Sequence, residues 1–253
     1  MRALTVRQPW AWAIFHGKDV ENRTRNVAGS YRGPLAIHAG LTVDRHDIGS
    51  ENIVRAWDDA YGWDVRKGGL FGTGILMGVV DLVDVHPETP RCCESAWAER
   101  MTYYDDNPVQ HLVLDNPRPF GFLGDSPIGA KGRLGLWTPS YADIAAAVIG
   151  HHRFRFTDEL ELHDGLEEVL TAIGLPVERE TRLTGGRVDF RIGGVGVEVK
   201  VAGSPAQVGR QLARYADDVD ELLLVTTKPA HAALAGEIGG KRCRVFVVRS
   251  GAW

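Results

Sequence analysis

The sequence predicts two domains of different construction, an α+β domain followed by an α/β domain. In residues 1–139, short apolar runs separated by Gly and Pro predict a small β-barrel with a few helices. In residues 155–253, helical and strand patterns alternate, which predicts an α/β domain with a mixed sheet flanked by helices. Trp137-Thr138-Pro139 closes the first domain, and we interpret the Ala-rich residues 140–154 as a linker helix.

Composition narrows the class of protein. The 253 residues are 44% hydrophobic and 25% charged, which is enough apolar material for a sizeable core. A disordered, collagen-like or membrane-spanning protein is excluded, and no stretch approaches 18 consecutive apolar residues. The formal net charge of −4 provides no overall positive field, so nucleic-acid binding must depend on local clusters of Arg and Lys.

The cysteines indicate the compartment. They are Cys92, Cys93 and Cys243, two adjacent and one alone, and this spacing matches neither a zinc site nor a disulfide framework. The first ten residues include charged side chains and contain no apolar segment typical of a signal peptide. We therefore expect a cytoplasmic protein in a reducing environment, without a membrane partner.

In the first domain, a helix is predicted from Trp10 to about Gly17, because Pro9 precedes it. Turn-forming residues separate the predicted strands. These strands are Ala3–Val6, Leu35–Ala39, Gly74–Val83, Leu112–Leu114 and Leu134–Trp137.

In the second domain, leucines at helical spacing predict an amphipathic helix over Thr157–Ile173. Val188–Ile192 and Val197–Val201 alternate apolar and polar residues and are separated by glycines, which predicts a β-hairpin. A capping box predicts that a further helix begins after Ser204. Two apolar runs are predicted to be strands buried on both faces: Leu222–Thr227 and Arg244–Val248.

The hairpin gathers charged side chains. Side chains alternate along a strand, so Asp189 lies opposite to Val188, and Glu198 and Lys200 share a face of the partner strand. Close carboxylates repel each other, which favours a bound cation, although each side chain taken singly also fits a solvated surface. The run RVDFRIGGVGVEVK resembles the PD-(D/E)xK nuclease superfamily, with Val188 in place of the name-giving proline. The resemblance implies a restriction-endonuclease-like fold in which Asp189 and Glu198 hold Mg²⁺ or Mn²⁺ and Lys200 positions or activates the attacking water.

The same resemblance implies a further metal-binding carboxylate on the preceding helix. Glu159 lies near the apolar face of that helix and Glu161 points away from it, so we predict Glu159 and keep Glu161 as the alternative. Gln211 and Tyr215 are one helical turn apart. They resemble the Gln-x-x-x-Tyr element of RecB-like members, which helps to hold substrate near the metal.

Five runs of the first domain match one family pattern: LTVRQPWAWAI, GKDVENR, KGGLFGTGILMGVVDLVDV, DNPRPF and KGRLGLW. They resemble the ASCH domain of the PUA-like group, which implies a barrel that binds nucleic acid. Aromatic rings and an exposed polar segment after the first helix suit an extruded base. The rings expected to supply this aromatic surface are Trp10, Trp12, Tyr31, Trp57, Trp63 and Trp137. The candidate base-binding residues are Gln8, Trp10, Lys18, Glu21 and Arg23.

Plainer interpretations of these residues stay open. The tryptophans also fit a hydrophobic core, and Lys18 with Glu21 also fits a salt bridge that closes a turn. The resemblance to the ASCH domain also implies a candidate hydrolase activity, because some small members hydrolyse an acylated cytidine. This sequence has Glu21 where those hydrolases are expected to have Thr, which argues against that activity here.

Together these observations predict a modification-dependent restriction endonuclease that uses Mg²⁺ or Mn²⁺. The first domain is expected to capture a modified, flipped base, more readily in DNA than in RNA, and the second to hydrolyse a nearby phosphodiester bond. One metal site per chain favours a homodimer if both strands are cut. The alternatives are an RNA-directed nuclease in RNA processing or decay and a non-catalytic nucleic-acid-binding module.

Overall fold

The structure is a computed structural model that describes residues 1–100, 109–120 and 129–250. The chain divides into two compact units, Met1–Pro139 and Ser140–Trp253. Each unit contains one six-stranded sheet, so the fold is mixed α/β with two sheets. The helix expected as a linker belongs to the second unit.

The first unit is built on a sheet of mixed direction. Its strands and α-helices are β1 (Arg2–Gln8), α1 (Trp10–Ile14), β2 (Val20–Arg23), β3 (Gly33–Val43), α2 (Glu51–Tyr61), β4 (Ile75–Pro87), β5 (Gln110–Pro119) and β6 (Leu136–Trp137). The strand order is β2-β5-β4-β3-β1-β6. Strand β1 is parallel to β3, and the other neighbours are antiparallel.

This sheet curls into a half-barrel. The register between β4 and β5 shifts between Val79 and Asp81 and again between Leu82 and Asp84. Such irregularities bend a strand and increase its twist. Strands β2 and β6 form the two edges and do not pair with each other within the described ranges. The barrel predicted from the sequence is therefore an open half-barrel.

The core of the first unit lies between the sheet and its helices. Helix α1 buries Trp12 and Ile14, and α2 buries Ile53 and Trp57 at neighbouring turns of one face. The predicted strands are present, but β2 and α2 were not expected from the sequence. None of the helices described is long and apolar enough to cross a membrane.

The second unit places helices against a mixed sheet. Its elements are α3 (Tyr141–His151), α4 (Glu159–Ala172), β7 (Val177–Leu183), β8 (Gly186–Ile192), β9 (Val195–Lys200), α5 (Pro205–Tyr215), β10 (Glu221–Thr226), β11 (Gly236–Ile238) and β12 (Lys241–Val247). The strand order is β11-β12-β10-β9-β8-β7. The central strands β9, β10 and β12 are parallel, and β7, β8 and β11 are antiparallel to their neighbours.

The predicted hairpin is confirmed as β8 and β9. Its turn needs glycine, because Gly193 has a φ of +58° and a Cβ on Gly194 would lie 2.0 Å from Asp220 Oδ2. The interior of β10 is fully buried, as predicted. Strand β12 is not: Arg244 lies on it and pairs with Glu221, so the prediction of burial on both faces is wrong there.

Candidate functional site

The hairpin brings three charged residues together. Asp189 lies on β8, and Glu198 and Lys200 lie at the end of β9. Lys200 Nζ is 2.5 Å from Glu198 Oε1 and 3.9 Å from Asp189 Oδ2. We call these three residues the carboxylate cluster. The structure therefore assembles the two acids and the lysine of the predicted motif.

Asp189 is held in place by the backbone. The paired residues of β8 and β9 run from Phe190 to Ile192 and stop before Asp189. Beyond that point, the Val199 N–H donates a hydrogen bond of 2.7 Å to Asp189 Oδ2. The carboxylate thus takes the place of a strand hydrogen bond, and this fixes it at the end of the hairpin.

Glu198 is the most deeply buried member of the cluster, with a side chain that is 1% exposed. Its Oε1 accepts hydrogen bonds from Lys200 and, at 2.5 Å, from Gln211 Nε2. Its Oε2 is buried and has no hydrogen-bond partner. Burial, followed by the negative charge of Asp189, raises the pKa of Glu198 to about 7. A buried carboxylate with one unpartnered oxygen is costly unless a cation compensates it.

Lys200 supplies the positive charge of the cluster. Burial alone would lower its pKa, but the charges of Glu198 and Asp189, with a smaller effect from Glu159, outweigh burial and raise the pKa. Its Nζ also donates a hydrogen bond of 2.9 Å to the Val199 carbonyl. The side chain is therefore a fixed ammonium group beside two carboxylates.

Helix α4 adds a carboxylate and a histidine. Glu159 Oε1 lies 4.0 Å from His163 Nε2, which lies 3.7 Å from Asp189 Oδ2. The alternative residue, Glu161, instead accepts hydrogen bonds from the N–H and hydroxyl of Thr157 at the start of the helix. The structure therefore places Glu159, and not Glu161, next to the carboxylate cluster. The Glu159 side chain is 43% exposed, so it forms the open side of the site.

His163 was not among the residues predicted for the site. Its Nε2 is buried without a hydrogen-bond partner and faces both Asp189 and Glu159. Its position four residues after Glu159 is the one sequence signal for this contact, since residues so spaced are neighbours on a helix.

Gln211 and Tyr215 lie on α5 and hold Glu198 from the other side. Gln211 Nε2 donates to Glu198 Oε1 and, at 2.9 Å, to the Tyr215 hydroxyl oxygen. That hydroxyl donates to the Arg187 carbonyl at 2.8 Å. Burial raises the pKa of Tyr215, so the hydroxyl keeps its proton for this bond. The Gln-x-x-x-Tyr pair thus connects the carboxylate cluster to β8.

The donor set suits a hard divalent cation. Asp189, Glu198 and Glu159 offer carboxylate oxygens, which Mg²⁺ and Mn²⁺ prefer. The unpartnered Oε2 of Glu198 is the buried atom that such an ion would satisfy. These residues therefore fit the metal that the sequence resemblance implies.

In the first unit, the prediction that the polar segment after α1 is exposed is wrong for Lys18 and Glu21. Lys18 and Glu21 have side chains only 2% and 8% exposed, and their charged atoms are 2.8 Å apart. Arg23 lies 2.9 Å from the other oxygen of Glu21 and donates to the Thr5 carbonyl. Glu21 and Arg23 lie on strand β2, which pairs with β5, and Lys18 precedes that strand. Lys18 and Glu21 therefore form the salt bridge expected under the alternative interpretation of the sequence.

Gln8 and Trp10 flank the start of α1. Gln8 is fully buried: its Nε2 donates to the Gly72 carbonyl at 2.7 Å, and its Oε1 accepts from the Trp12 N–H. Trp10 is partly buried and donates from Nε1 to Asp47 Oδ2 at 3.1 Å. The Lys18 ammonium lies 5.9 Å from the centre of the Trp10 ring, within the range of a cation–π contact.

An aromatic pocket of about 640 Å³ opens beside Gln8. Trp12 stacks on His16 with ring centres 4.0 Å apart, and burial lowers the pKa of His16, which favours the neutral ring. The pocket is lined by Gln8, Trp12, His16, Trp57, Tyr61, Trp63 and Phe71, among others. Gln8 is thus the one predicted base-binding residue that lines it. Three of the rings expected to supply aromatic surface also line it: Trp12, Trp57 and Trp63. Tyr61 was not predicted, although its position four residues after Trp57 on α2 could have indicated it, because residues four apart share a helix face.

No family model matches this chain, and no curated protein matches it in a sequence search.

Proposed function

We propose that the second unit is a divalent-cation-dependent phosphodiesterase of the PD-(D/E)xK type. The observation that carries this proposal is the buried, half-partnered carboxylate of Glu198 beside Asp189 and Lys200. A purely structural ion pair would be expected to satisfy both oxygens, because an unpartnered buried acceptor costs about 1–3 kcal/mol. A site prepared for a cation leaves one oxygen available.

Each residue of the cluster has a separate task. Asp189, Glu198 and Glu159 would hold Mg²⁺ or Mn²⁺, which when bound polarises the phosphate and lowers the pKa of a water. Lys200, kept protonated by its neighbours, is suited to orient a nucleophilic water and to offset the charge that develops on the phosphate. Gln211 and Tyr215 fix the orientation of Glu198.

We assign the first unit a base-binding role on the basis of its aromatic pocket. A volume of about 640 Å³ is in the range of small-molecule sites. Trp63 is 38% exposed at its rim, and its ring is available for stacking, which contributes about 1–3 kcal/mol per base. This contribution offsets much of the few kcal/mol needed to extrude a base from a duplex. The ASCH-like sequence and this pocket together support a modified base in DNA as the ligand.

The test compares substrates and variants. Plain DNA, DNA with modified bases and structured RNA are each incubated with Mg²⁺ and the full chain or one of three variants: Asp189→Asn, Glu198→Gln or Lys200→Ala. Glu178→Gln is the matched control, since Glu178 is an exposed carboxylate on the neighbouring strand β7. We expect cleavage of modified DNA by the wild type and the control and loss of cleavage in all three cluster variants.

Binding provides a second measurement. Calorimetric titration with Mn²⁺ should detect a site in the wild type that is lost in Glu198→Gln and kept in Glu178→Gln. If RNA is the one substrate that is cleaved, the protein is an RNA-directed nuclease and the proposed DNA substrate is wrong. If the wild type and all variants give the same result in both the cleavage assay and the Mn²⁺ titration, the nuclease proposal is refuted and the non-catalytic nucleic-acid-binding module is the alternative that remains.

A further inference from the structure

Two histidines and two cysteines meet at one end of the first unit's sheet. His86 lies on β4 and His111 on β5, and these two residues are paired across the strands. Cys92 and Cys93 lie in the segment that follows β4. One ligand atom from each of the four residues lies within 4.8 Å of all the others. We call these residues the His/Cys cluster.

The distances fit tetrahedral coordination. His86 Nε2 is 3.2 Å from Cys93 Sγ, and His111 Nδ1 is 3.3 Å from Cys92 Sγ and 3.4 Å from Cys93 Sγ. Zinc binds sulfur at about 2.3 Å and nitrogen at about 2.0–2.1 Å, which separates the ligand atoms of a tetrahedron by about 3.3–3.8 Å. The four side chains therefore need little movement to close around one ion.

The outer hydrogen bonds orient both imidazoles. Asp84 Oδ2 lies 2.7 Å from His86 Nδ1, and the Glu99 carbonyl lies 2.9 Å from His111 Nε2. A carboxylate and a carbonyl accept hydrogen bonds, so each imidazole places its proton on that outer nitrogen. The inner nitrogens, His86 Nε2 and His111 Nδ1, then present lone pairs to the sulfurs. This is the arrangement of metal-binding histidines, whose outer nitrogen is held by such an acceptor.

We propose that the His/Cys cluster binds one Zn²⁺ as a closed structural site. Four protein ligands complete a tetrahedron and leave no open position for a substrate, unlike a catalytic zinc site. Arg100 lies beside the cluster, with Nη1 3.8 Å from Cys92 Sγ, and its positive charge favours the thiolates that zinc requires.

The cysteine spacing alone predicts no zinc site. This expectation counts cysteines alone, whereas the pairing of β4 with β5 supplies two histidines that are 25 positions apart in the chain. The spacing rule describes ligands on local turns, and these ligands come together through a strand pair.

The zinc site would anchor residues 88–100 to the sheet. From this segment, Ser95 donates to Asp19, Trp97 O accepts from Asn22, and the Glu99 N–H donates to Asn22 Oδ1. Trp97 also packs edge-on against Trp10, with ring centres 6.4 Å apart. Loss of the ion would therefore release a segment that holds the start of α1.

The test begins with the wild-type chain, so that it does not depend on a variant that folds. Protein purified without chelator is analysed for metal by mass spectrometry, and the chelated protein is titrated with Co²⁺. We expect one zinc per chain, thiolate-to-cobalt charge-transfer absorption and the intense visible bands of tetrahedral Co²⁺. A chain without zinc, or a Co²⁺ spectrum without thiolate absorption, would overturn the proposal. A Cys92–Cys93 disulfide in the protein as purified would do the same.

Variants then locate the site. Cys92→Ser and His86→Asn should lose the Co²⁺ spectrum, and Cys243→Ser should keep it because Cys243 is buried in the second unit. Asp84→Asn, which removes an outer acceptor, should weaken zinc binding about 10–100-fold in competition with a chelating dye. Retention of full affinity in Cys92→Ser would refute the assignment.

A proteolysis assay measures the anchoring role. Arg91 and Arg100 are trypsin sites within the segment, so removal of zinc should speed cleavage there, and added Zn²⁺ should restore protection. Cleavage at the same rate with and without zinc would contradict this role. Asp189→Asn should leave every zinc result unchanged, because it alters the carboxylate cluster alone, so failure of the nuclease proposal is separable from failure of this one.

Discussion

The replacement of Glu198 by Gln should stabilise the second unit while it removes the proposed activity. In the absence of added divalent cation, Glu198 is buried with one unpartnered oxygen. Its pKa is about 7 in the folded chain and 4.5 ordinarily. Gln has the same shape as the protonated acid and carries no charge, so it avoids the cost of ionising a buried group.

The magnitude follows from the pKa. The rise from 4.5 to about 7 corresponds to about 3 kcal/mol at 1.36 kcal/mol per pKa unit. Because the folded pKa is raised, the stability contributed by this group is fully present below pH 4.5 and is lost as the pH rises to about 7. The gain from Glu198→Gln should therefore be about 3 kcal/mol at pH 8 and about 1 kcal/mol at pH 5.

Urea unfolding at pH 5 and pH 8 measures the free energy of unfolding of wild type, Glu198→Gln and the control Glu178→Gln. The experiment is repeated with Mn²⁺, which should stabilise the wild type and not Glu198→Gln, since a ligand stabilises only the state that binds it. The reasoning is refuted if Glu198→Gln is less stable than wild type at pH 8 without added cation. It is also refuted if the difference is the same at both pH values.

Three smaller effects should also be measurable. Tyr215→Phe leaves the Arg187 carbonyl without its hydroxyl donor and should lower the free energy of unfolding by about 1–2 kcal/mol in urea titrations; an unchanged midpoint would contradict this. The hydrogen bond from Arg118 lowers the pKa of Asp81, so this pair stabilises the fold above the ordinary carboxyl pKa and the stabilisation is lost as the pH falls through the lowered value. Since the pair is partly exposed, Asp81→Asn should lower the free energy of unfolding by about 0.5–1 kcal/mol at pH 7 and leave it unchanged at low pH. A difference in the free energy of unfolding that does not depend on pH would refute this account. Trp63→Ala should weaken binding of a modified-base oligonucleotide by about 1–3 kcal/mol in fluorescence titrations, and equal affinity would argue against the pocket.

The sequence predicted the elements whose residues follow a simple period. The hairpin of β8 and β9 alternates apolar and polar side chains, and the core of β10 is a continuous apolar run. The two acids and the lysine could be placed together because the hairpin is a local structure, with its strands joined by a short turn. Glu159 could be chosen over Glu161 because the two lie on different helix faces, and Glu159 lies 4.0 Å from His163, which faces Asp189.

The elements that were missed have a short period, as in α2, or none, as in β2 and β7. Strand β2 carries Glu21 and Arg23, and its burial depends on the Lys18 charge that neutralises Glu21. Strand β7 is an edge strand with exposed side chains throughout much of its length, so no hydrophobic pattern marks it. Helix α2 buries Ile53 and Trp57 and packs Tyr61 of the same face against the core, but charged residues at several of its other positions leave only a short apolar face. Each of these elements is stabilised by residues elsewhere in the chain: β2 by Lys18, β7 by its pairing with β8, and α2 by the core of the first unit.

Ligand chemistry separates the two proposed metal sites. Carboxylate oxygens suit Mg²⁺ and Mn²⁺, whereas thiolate and imidazole favour Zn²⁺, so Mg²⁺ and Mn²⁺ should not displace zinc from the His/Cys cluster. A strong chelator would remove both, and loss of cleavage after chelation would then identify neither site. Restoration by Mg²⁺ alone would assign the reaction to the carboxylate cluster. If cleavage is restored by Mg²⁺ only after Zn²⁺ has been added, residues 88–100, whose Trp97 packs against Trp10, are needed for substrate capture.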